Sequence, residues 1–273
     1  SLLRHTPTSW RTTHTVLVPT ASGVRTQPSS YRPIALVTAL QKAYDAHLDS
    51  CIRARIDNPT FLSERQAGFR AGRNTLDLLM VVGDRLLWCA RTRSPLLCVL
   101  VDVEGAYDKT HRGLLSQALQ HKFRLPPPLL DALVPSLVCD ELRISHADGA
   151  TVVPMKDGIR QGSPASPLLF VSYLDELLRA LEQCPISVGA PDRSFWREGA
   201  FADDLLLLVH SEEEASCRLR ELERVGRLLN LKFAPHKTVA SMIGSGVPMW
   251  EVELEGVRLT HADTFRYLGV EFS

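Results

Sequence analysis

Two short apolar runs in this sequence each meet a carboxylate at one end. Leu97-Cys98-Val99-Leu100-Val101 leads into Asp102, and Asp203-Asp204 leads into Leu205-Leu206-Leu207-Leu208-Val209. Unbroken apolar runs of this length read as buried strands. A carboxylate in an apolar setting needs a partner, and a divalent cation is the strongest one available. The natural arrangement is two neighbouring strands that deliver acid to one point. Each feature alone has an ordinary reading, because Asp favours turns and is common at strand ends. The pair, with what lies around it, is what constrains the fold.

The chain has 273 residues, 45% of them hydrophobic, enough for one large domain or two closely joined ones. Lys plus Arg and Asp plus Glu both number 31, so the net charge is zero and a general electrostatic grip on nucleic acid is not visible in the total. Any basic surface is local. Cys51, Cys89, Cys98, Cys139, Cys184 and Cys217 are scattered singly, without the paired spacing of a zinc site. Several sit in apolar stretches and read as small core residues, which suggests a reducing compartment; the expected setting is intracellular, nucleus or cytoplasm. No signal-peptide pattern or membrane-length apolar run occurs. The chain opens on Ser1 and ends at Ser273 in a strand-like stretch, and reads as a domain of something longer.

In order, Thr15 to Pro19 reads as a strand, followed by a polar loop from Ala21 to Ser30. Residues Leu40 to Ile56 carry apolar positions at helical spacing (Leu40, Tyr44, Leu48, Ile52), with His47 a helix-face residue. Residues 62–75 alternate Gly68 and Gly72 with Arg65, Arg70 and Arg73; glycine admits a phosphate chain and arginine binds its oxygens, although a solvated basic loop looks the same. A helix from Thr75 to about Arg91 follows, capped by Asn74, with a stripe Leu76, Leu79, Met80, Leu87. Helical patterns cover Arg112–Lys122 and Pro128–Val138. Leu142–Pro154 reads as a hairpin turning at Asp148-Gly149. Another helix starts near Ser166 with Leu174, Leu177, Leu178 and Leu181 on one face. Glu198–Val209 is a hairpin around Ala202-Asp203-Asp204. Glu212–Leu229 is amphipathic, its Ala215, Leu219, Leu222, Val225 and Leu229 inward and its Glu and Arg residues a solvated face. Phe265–Val270 is the last strand. Helices and antiparallel hairpins without strict βαβ alternation predict an α+β fold.

Three carboxylates on adjacent strands can hold two Mg²⁺ ions, which prefer oxygen ligands and keep phosphate oxygens in their shell. Two ions about 4 Å apart stabilise the attacking and leaving oxygens of an in-line displacement at phosphorus. Phosphoryl transfer needs mainly positioning and charge neutralisation. No GxSxG element and no P-loop ending in GK[ST] is present.

Seven motifs in order carry a family resemblance: Tyr31-Arg32-Pro33-Ile34, Gln66-Ala67-Gly68-Phe69-Arg70, Asp102 to Asp108, Gly158 to Pro164, Phe201 to Asp204, the Lys237 loop, and Phe265 to Gly269. Together they resemble the reverse transcriptase domain of non-LTR (LINE-type) retrotransposons, from about Val16 to the end. The resemblance implies a right-hand polymerase fold, residues 1–96 as fingers and 97–273 as palm with a fingers-side hairpin near 142–160, and a thumb largely absent. Flanking thumb and endonuclease domains would belong to the full-length protein. It implies RNA-directed DNA polymerase activity with two Mg²⁺ ions, Mn²⁺ as substitute, and an RNA template, a DNA primer and dNTPs as partners, with no membrane. By position, Asp102, Asp203, Asp204 and the Val103 carbonyl match the metal site, and Lys237 a proton donor to pyrophosphate. Arg32 matches a triphosphate contact. Glu104, Gly105 and Ala106 lead to Tyr107, which matches the steric gate against a ribose 2′-OH. Gln161 and Gly162 match the loop on the incoming nucleotide. Gln66, Gly68, Phe69, Arg70, Arg73, Ser163 and Pro164 match template-side contacts, and Leu268-Gly269 the primer grip. Asp108 reads as bracing the turn after the gate.

The sequence departs from the family at Thr20, where lysine often follows Val-Pro; Arg25 is the alternative cation. Two other readings stand beside the polymerase: a group II intron or telomerase-like reverse transcriptase, and a decayed or domesticated copy that binds RNA without catalysis. The Phe201 form and the Gln66–Arg70 block weigh against the first. The complete set of carboxylates, Tyr107 and Gln161 weighs against the second.

Overall fold

A computed structural model describes residues 7, 10, 12–19, 30–137, 141–146, 149–185, 196–244 and 249–272. The strands are β1 (Thr12–Pro19), β2 (Tyr31–Leu36), β3 (Leu96–Val101), β4 (Val103–Glu104), β5 (Glu141–His146), β6 (Gly149–Pro154), β7 (Glu198–Phe201), β8 (Asp204–Val209), β9 (Lys232–Phe233), β10 (Val239–Ile243), β11 (Glu253–Leu254), β12 (Val257–Arg258), β13 (Phe265–Tyr267) and β14 (Val270–Phe272). The helices are α1 (Ala39–Ile56), α2 (Thr75–Thr92), α3 (Ala106–Lys109), α4 (Arg112–Gln117), α5 (Pro127–Leu137), α6 (Ser166–Glu182) and α7 (Glu212–Leu228). The fold is α+β, as the mixed pattern predicts. The described chain divides into two compact units, each built from two segments. One comprises Ser1–Phe61 with Tyr107–Tyr173, the other Leu62–Ala106 with Leu174–Ser273. Each unit closes a sheet whose strands come from distant parts of the chain, so no single cut separates them.

The first unit holds a four-stranded sheet in the order β2-β1-β5-β6. β1 pairs antiparallel with β2, Val16 opposite Ile34, and parallel with β5, Thr13 opposite Leu142. The expected hairpin is β5–β6; Asp148 and the Thr20–Arg25 stretch lie outside the described residues. Helix α1 is capped by Thr38, whose hydroxyl accepts from the Gln41 amide at 3.3 Å. Its inward face differs from expectation: Leu40 is exposed, while Gln41 and Asp45 are buried above Leu48, Ile52 and Ile56. Asp45 is drawn in by partners, accepting from the Ser163 hydroxyl at 2.7 Å with the Arg160 guanidinium 3.9 Å away. Burial nonetheless pushes the Asp45 carboxyl above its ordinary value, against the pull of Ser163 and Arg160. The expected helix 112–122 is α4 continued by a π turn over Ala118–Lys122, with Leu115, Leu119 and Phe123 all buried.

The second unit holds a sheet in the order β10-β3-β8-β7, all pairs antiparallel. β3 and β8 are central, and their apolar runs are buried. Helix α2 has the capping box expected from Asn74, with Asp77 as its reciprocal partner. The face it buries is the other one: Leu78, Val82, Arg85 and Cys89 face the core, while Leu76, Met80 and Leu87 are exposed. Both stripes have helical spacing, offset by two residues, so periodicity alone does not choose between them. Arg85 belongs to the buried stripe because the core offers it the Trp196 carbonyl at 2.6 Å.

Helix α7 buries its expected apolar residues, but Glu214 and Arg218 are buried too. Arg218, 2% exposed, donates to Glu198 at 2.5 Å, to Glu214 at 3.1 Å and to the Leu181 carbonyl at 3.1 Å. Arg65 also bonds Glu198, and the Arg197 guanidinium lies 3.3 Å from Glu214. The expected last strand is a hairpin, β13 and β14, turning at Leu268 and Gly269. Among the described residues no helix is long and apolar enough to cross a membrane.

Arg218→Ala removes the cation that Glu198 and Glu214 share and leaves each with one arginine, so unfolding in urea is expected to show a loss of about 1.5–3 kcal/mol. A loss under about 1 kcal/mol, the range of exposed pairs, would show the network to be solvated.

Candidate active site

The register of β3 against β8 sets the site in the second unit. Val101 lies opposite Leu205, so the next residues outward, Asp102 and Asp204, occupy facing positions where the apolar pairing ends. Both line one cleft of about 180 Å³, together with Lys237, Arg266 and Tyr267. The backbone of Asp102 is held at both ends: its amide donates to the Thr238 hydroxyl at 3.3 Å, and its carbonyl accepts from Ala234 at 2.9 Å. The same loop carries Lys237, whose ammonium lies 3.9 Å from the Asp102 carboxylate, the two side chains 70% and 42% exposed. Tyr267 is 1% exposed, and its hydroxyl has no hydrogen-bond partner among the described residues. Burial, and secondarily the charge of Asp204, raises its pKa.

Asp203 sits at the tip of the β7–β8 hairpin, exposed, in a turn closed by the pairing of Phe201 with Asp204. The first loop residue, Ala202, has φ +58°. That conformation is usual for glycine and costs other residues on the order of 1–3 kcal/mol. Among the described residues no cluster of three or more His, Cys, Asp or Glu side chains has the geometry of a metal site. The donor chemistry still fits a hard divalent cation: Asp102 and Asp204 offer only oxygen, line one solvent-open cleft, and have Lys237 and Arg266 as neighbouring cations.

Val103 is buried in β4 opposite Phe233, and Glu104 lies opposite Lys232. Gly105, at φ +59°, and buried Ala106 follow. In the Gln66–Arg73 segment Gln66, Gly68 and Arg70 are buried. Gln66 and Gly68 contact Ala202 rather than solvent. Arg70 is buried, its guanidinium donating to the Ser63 carbonyl at 2.7 Å. Arg73 pairs with Glu64 at 3.3 Å, and Phe69 stays partly exposed. Arginine that suits a phosphate oxygen suits a carbonyl oxygen equally, which the sequence alone does not distinguish.

The first unit holds Tyr107, Gln161, Gly162 and Arg32, which the family resemblance assigns to the nucleotide. Tyr107 stacks on Phe170, ring centroids 5.0 Å apart and planes 21° from parallel. Its carbonyl accepts from Ile159 at 2.9 Å, lacing the 158–162 loop to the segment after Ala106. The Gln161 amide group reaches Asp108 at 3.4 Å, and the Gln161 carbonyl accepts from Ala35 at 2.7 Å. Burial raises the Asp108 carboxyl, and the Gln161 bond opposes that shift. Gly162 has φ +116°, and a Cβ there would stand 2.6 Å from the Ala35 carbonyl oxygen. Arg32 is exposed on β2, three residues before Ala35. Ser163 is buried, its hydroxyl donating to Asp45 at 2.7 Å, and Pro164 is half-buried. Asp45, Arg160 and Tyr267 were not singled out in the sequence. Asp45 had a signal, a carboxylate in line with an apolar stripe; Arg160 donates to the Thr13 hydroxyl at 3.1 Å and the Trp10 carbonyl at 2.9 Å.

The family profile of "Reverse transcriptase (RNA-dependent DNA polymerase)" matches residues 20–272. The Pol polyprotein of the type-1 retrotransposable element R2 from Popillia japonica is 29% identical over 280 residues, covering 98% of this chain and 38% of that protein. The RNA-directed DNA polymerase from mobile element jockey of Drosophila melanogaster is 24% identical, covering 97% and 29%. The chain thus spans about a third of the length of these curated relatives. Among solved structures, telomerase from Candida tropicalis superposes with a TM-score of 0.61 at 10% identity, covering 98% of this chain and 48% of that one. Telomerase from Candida albicans in complex with a telomeric RNA fragment gives 0.59 at 12%, covering 93% and 45%. At that identity the telomerases speak for the fold alone, whereas the sequence relatives speak for lineage. The chain belongs to the reverse transcriptase (RNA-dependent DNA polymerase) family, in the branch of the non-LTR retrotransposons.

Proposed function

We propose that this chain is the polymerising core of an RNA-directed DNA polymerase, joining a dNTP to a primer 3′-OH on an RNA template. The observation that carries the reading is the placing of Asp102 and Asp204 at facing positions on one cleft, with Asp203 at the adjoining turn. Reverse transcriptases use divalent metal ions; here two Mg²⁺, with Mn²⁺ as substitute, would be held by the three carboxylates and the Val103 carbonyl, and would neutralise charge on the attacking and leaving oxygens. The 3′-OH gives up its proton to solvent and its oxygen forms a bond to the α-phosphorus as the bond to pyrophosphate breaks. Lys237, on a loop tied to the Asp102 backbone, carries a proton suited to the departing pyrophosphate. Arg32 would meet the triphosphate, with no lysine at position 20 to share it. Tyr107, steadied by its stack on Phe170, would exclude a 2′-OH, and Gln161 and Gly162 would line the nucleotide. The turn at Leu268-Gly269 would support the primer. Phe69 and Arg73 remain candidates for the template side. Thumb and endonuclease segments of a full-length protein, acting in the nucleus or cytoplasm, complete the proposal.

In primer extension on an RNA template by the full-length protein, Asp203→Ala is expected to remove at least about a thousandfold of the rate, the equivalent of several kcal/mol of metal-assisted stabilisation. The folded state should persist by circular dichroism. Extension that survives this change would overturn the polymerase reading; template binding without any extension in the unaltered protein would favour an RNA-binding role. Tyr107→Ala is expected to raise ribonucleotide incorporation relative to deoxynucleotide by about tenfold or more, the weight of one lost steric exclusion. Unchanged sugar selectivity would remove Tyr107 from the gate.

A further inference from the structure

We infer that Gln66 is a positioning residue for the catalytic carboxylates, gripping the backbone of Ala202 and so holding the turn that carries Asp203 and Asp204. The inference rests on the polymerase reading above. Gln66 is wholly buried, at 0% exposure. Its side-chain oxygen accepts from the Ala202 amide at 2.9 Å and from the Gly68 amide at 2.8 Å. Its side-chain nitrogen donates to the Ala202 carbonyl at 3.3 Å. One side chain therefore satisfies both backbone polar groups of a residue held at φ +58°. An alanine in that region is not self-sustaining, because the surroundings must hold it there.

Three further features bring Gln66 to this place. Its segment adds to the edge of β7 through a short parallel bridge: Ala67 donates to the Ala200 carbonyl at 2.8 Å, and Ala200 to the Arg65 carbonyl at 2.9 Å. Gly68 permits the approach, since a Cβ there would stand 2.2 Å from the Ala202 nitrogen. The segment is anchored behind, where the Ser63 amide donates to Asp175 at 2.6 Å and the buried Arg70 guanidinium closes on the Ser63 carbonyl. The chemistry demands an amide. Glutamate keeps the acceptor and loses the donor, methionine keeps the shape and loses both, and asparagine lacks the reach. Gln66, Gly68 and Arg70 thus form a strut behind the acidic turn rather than a surface for template.

The test compares the full-length protein with Gln66→Met and Gln66→Glu, and with Ala202→Gly added to Gln66→Met. Steady-state kcat and KM for dNTP, the Mg²⁺ concentration for half-maximal rate, and hydrogen exchange at the Ala202 amide are measured. Gln66→Met is expected to lower kcat by about 10- to 100-fold, the scale of a small misplacement of catalytic groups. The half-saturating Mg²⁺ should rise, KM for dNTP should hold, and the Ala202 amide should lose protection. Gln66→Glu should fall between, and Ala202→Gly should restore part of kcat because the turn no longer needs holding. A polymerase whose kcat and Mg²⁺ dependence are untouched by Gln66→Met overturns the inference, as does a change confined to KM or a failure of Ala202→Gly to restore any rate. An unaltered protein that does not polymerise overturns the functional reading instead, and is recognised before any variant is made.

Discussion

The pairing of β3 with β8 is the interaction on which the candidate site depends. These strands lie at the centre of their sheet, and five consecutive cross-strand pairs from Leu97–Val209 to Val101–Leu205 join them. Each buried Leu or Val contributes about 1.5–3 kcal/mol by leaving water. A slip of one residue would turn every side chain of a strand to the opposite face, so the register is strongly specified. Asp102 and Asp204 inherit it: they face one another because the last apolar pair lies immediately inside them. The energy that places two like charges side by side is thus hydrophobic and is provided elsewhere in the sheet. This fits a site whose carboxylates serve an added cation rather than the stability of the chain.

Each unit also carries a buried ionic lock. In the first, Asp45 meets Ser163 and Arg160; in the second, Arg218 joins Glu198 to Glu214. Such groups add little net stability over apolar residues of the same shape, yet removing one partner is severe. Their effect is directional. Asp45 ties α1 to the 160–163 loop that also carries Gln161 and Gly162, and Glu198 ties α7 to the strand entering the acidic turn. His210, beside the second lock, is kept neutral, its pKa pushed down to about 4 chiefly by burial, with Nδ1 3.0 Å from the Pro95 carbonyl.

Much of this was legible in the sequence where one physical cause dominates. The strands ending at Asp102 and beginning at Asp204, the Asn74 cap, the β5–β6 hairpin and the inward leucines of α6 and α7 all follow from local pattern. What misled were cases with two equal local solutions. Leu76, Met80 and Leu87 have the same spacing as Leu78, Val82 and Cys89, and only the tertiary partners of Arg85 decide between them. Glu214 and Arg218 form an i,i+4 pair that looks identical on a solvated face and inside a core; Glu198 is what draws it in. Gln66, Arg70 and Ser163 carry groups as able to bind a phosphate or base as a backbone amide, carbonyl or carboxylate, and their burial was not written in the motif. The positive φ of Ala202, from which the role of Gln66 follows, has no sequence signal because alanine does not advertise it.

The most direct test of the account is Mn²⁺ binding to the full-length protein, followed by electron paramagnetic resonance in the presence of dNTP, with Asp102→Asn as the comparison. If the β3–β8 register exists to present carboxylates to a cation, the unaltered protein binds Mn²⁺ and the variant binds it at least about tenfold more weakly, a loss of roughly 1.4 kcal/mol. Equal binding by the two would contradict the account, since the facing carboxylates would then hold no metal.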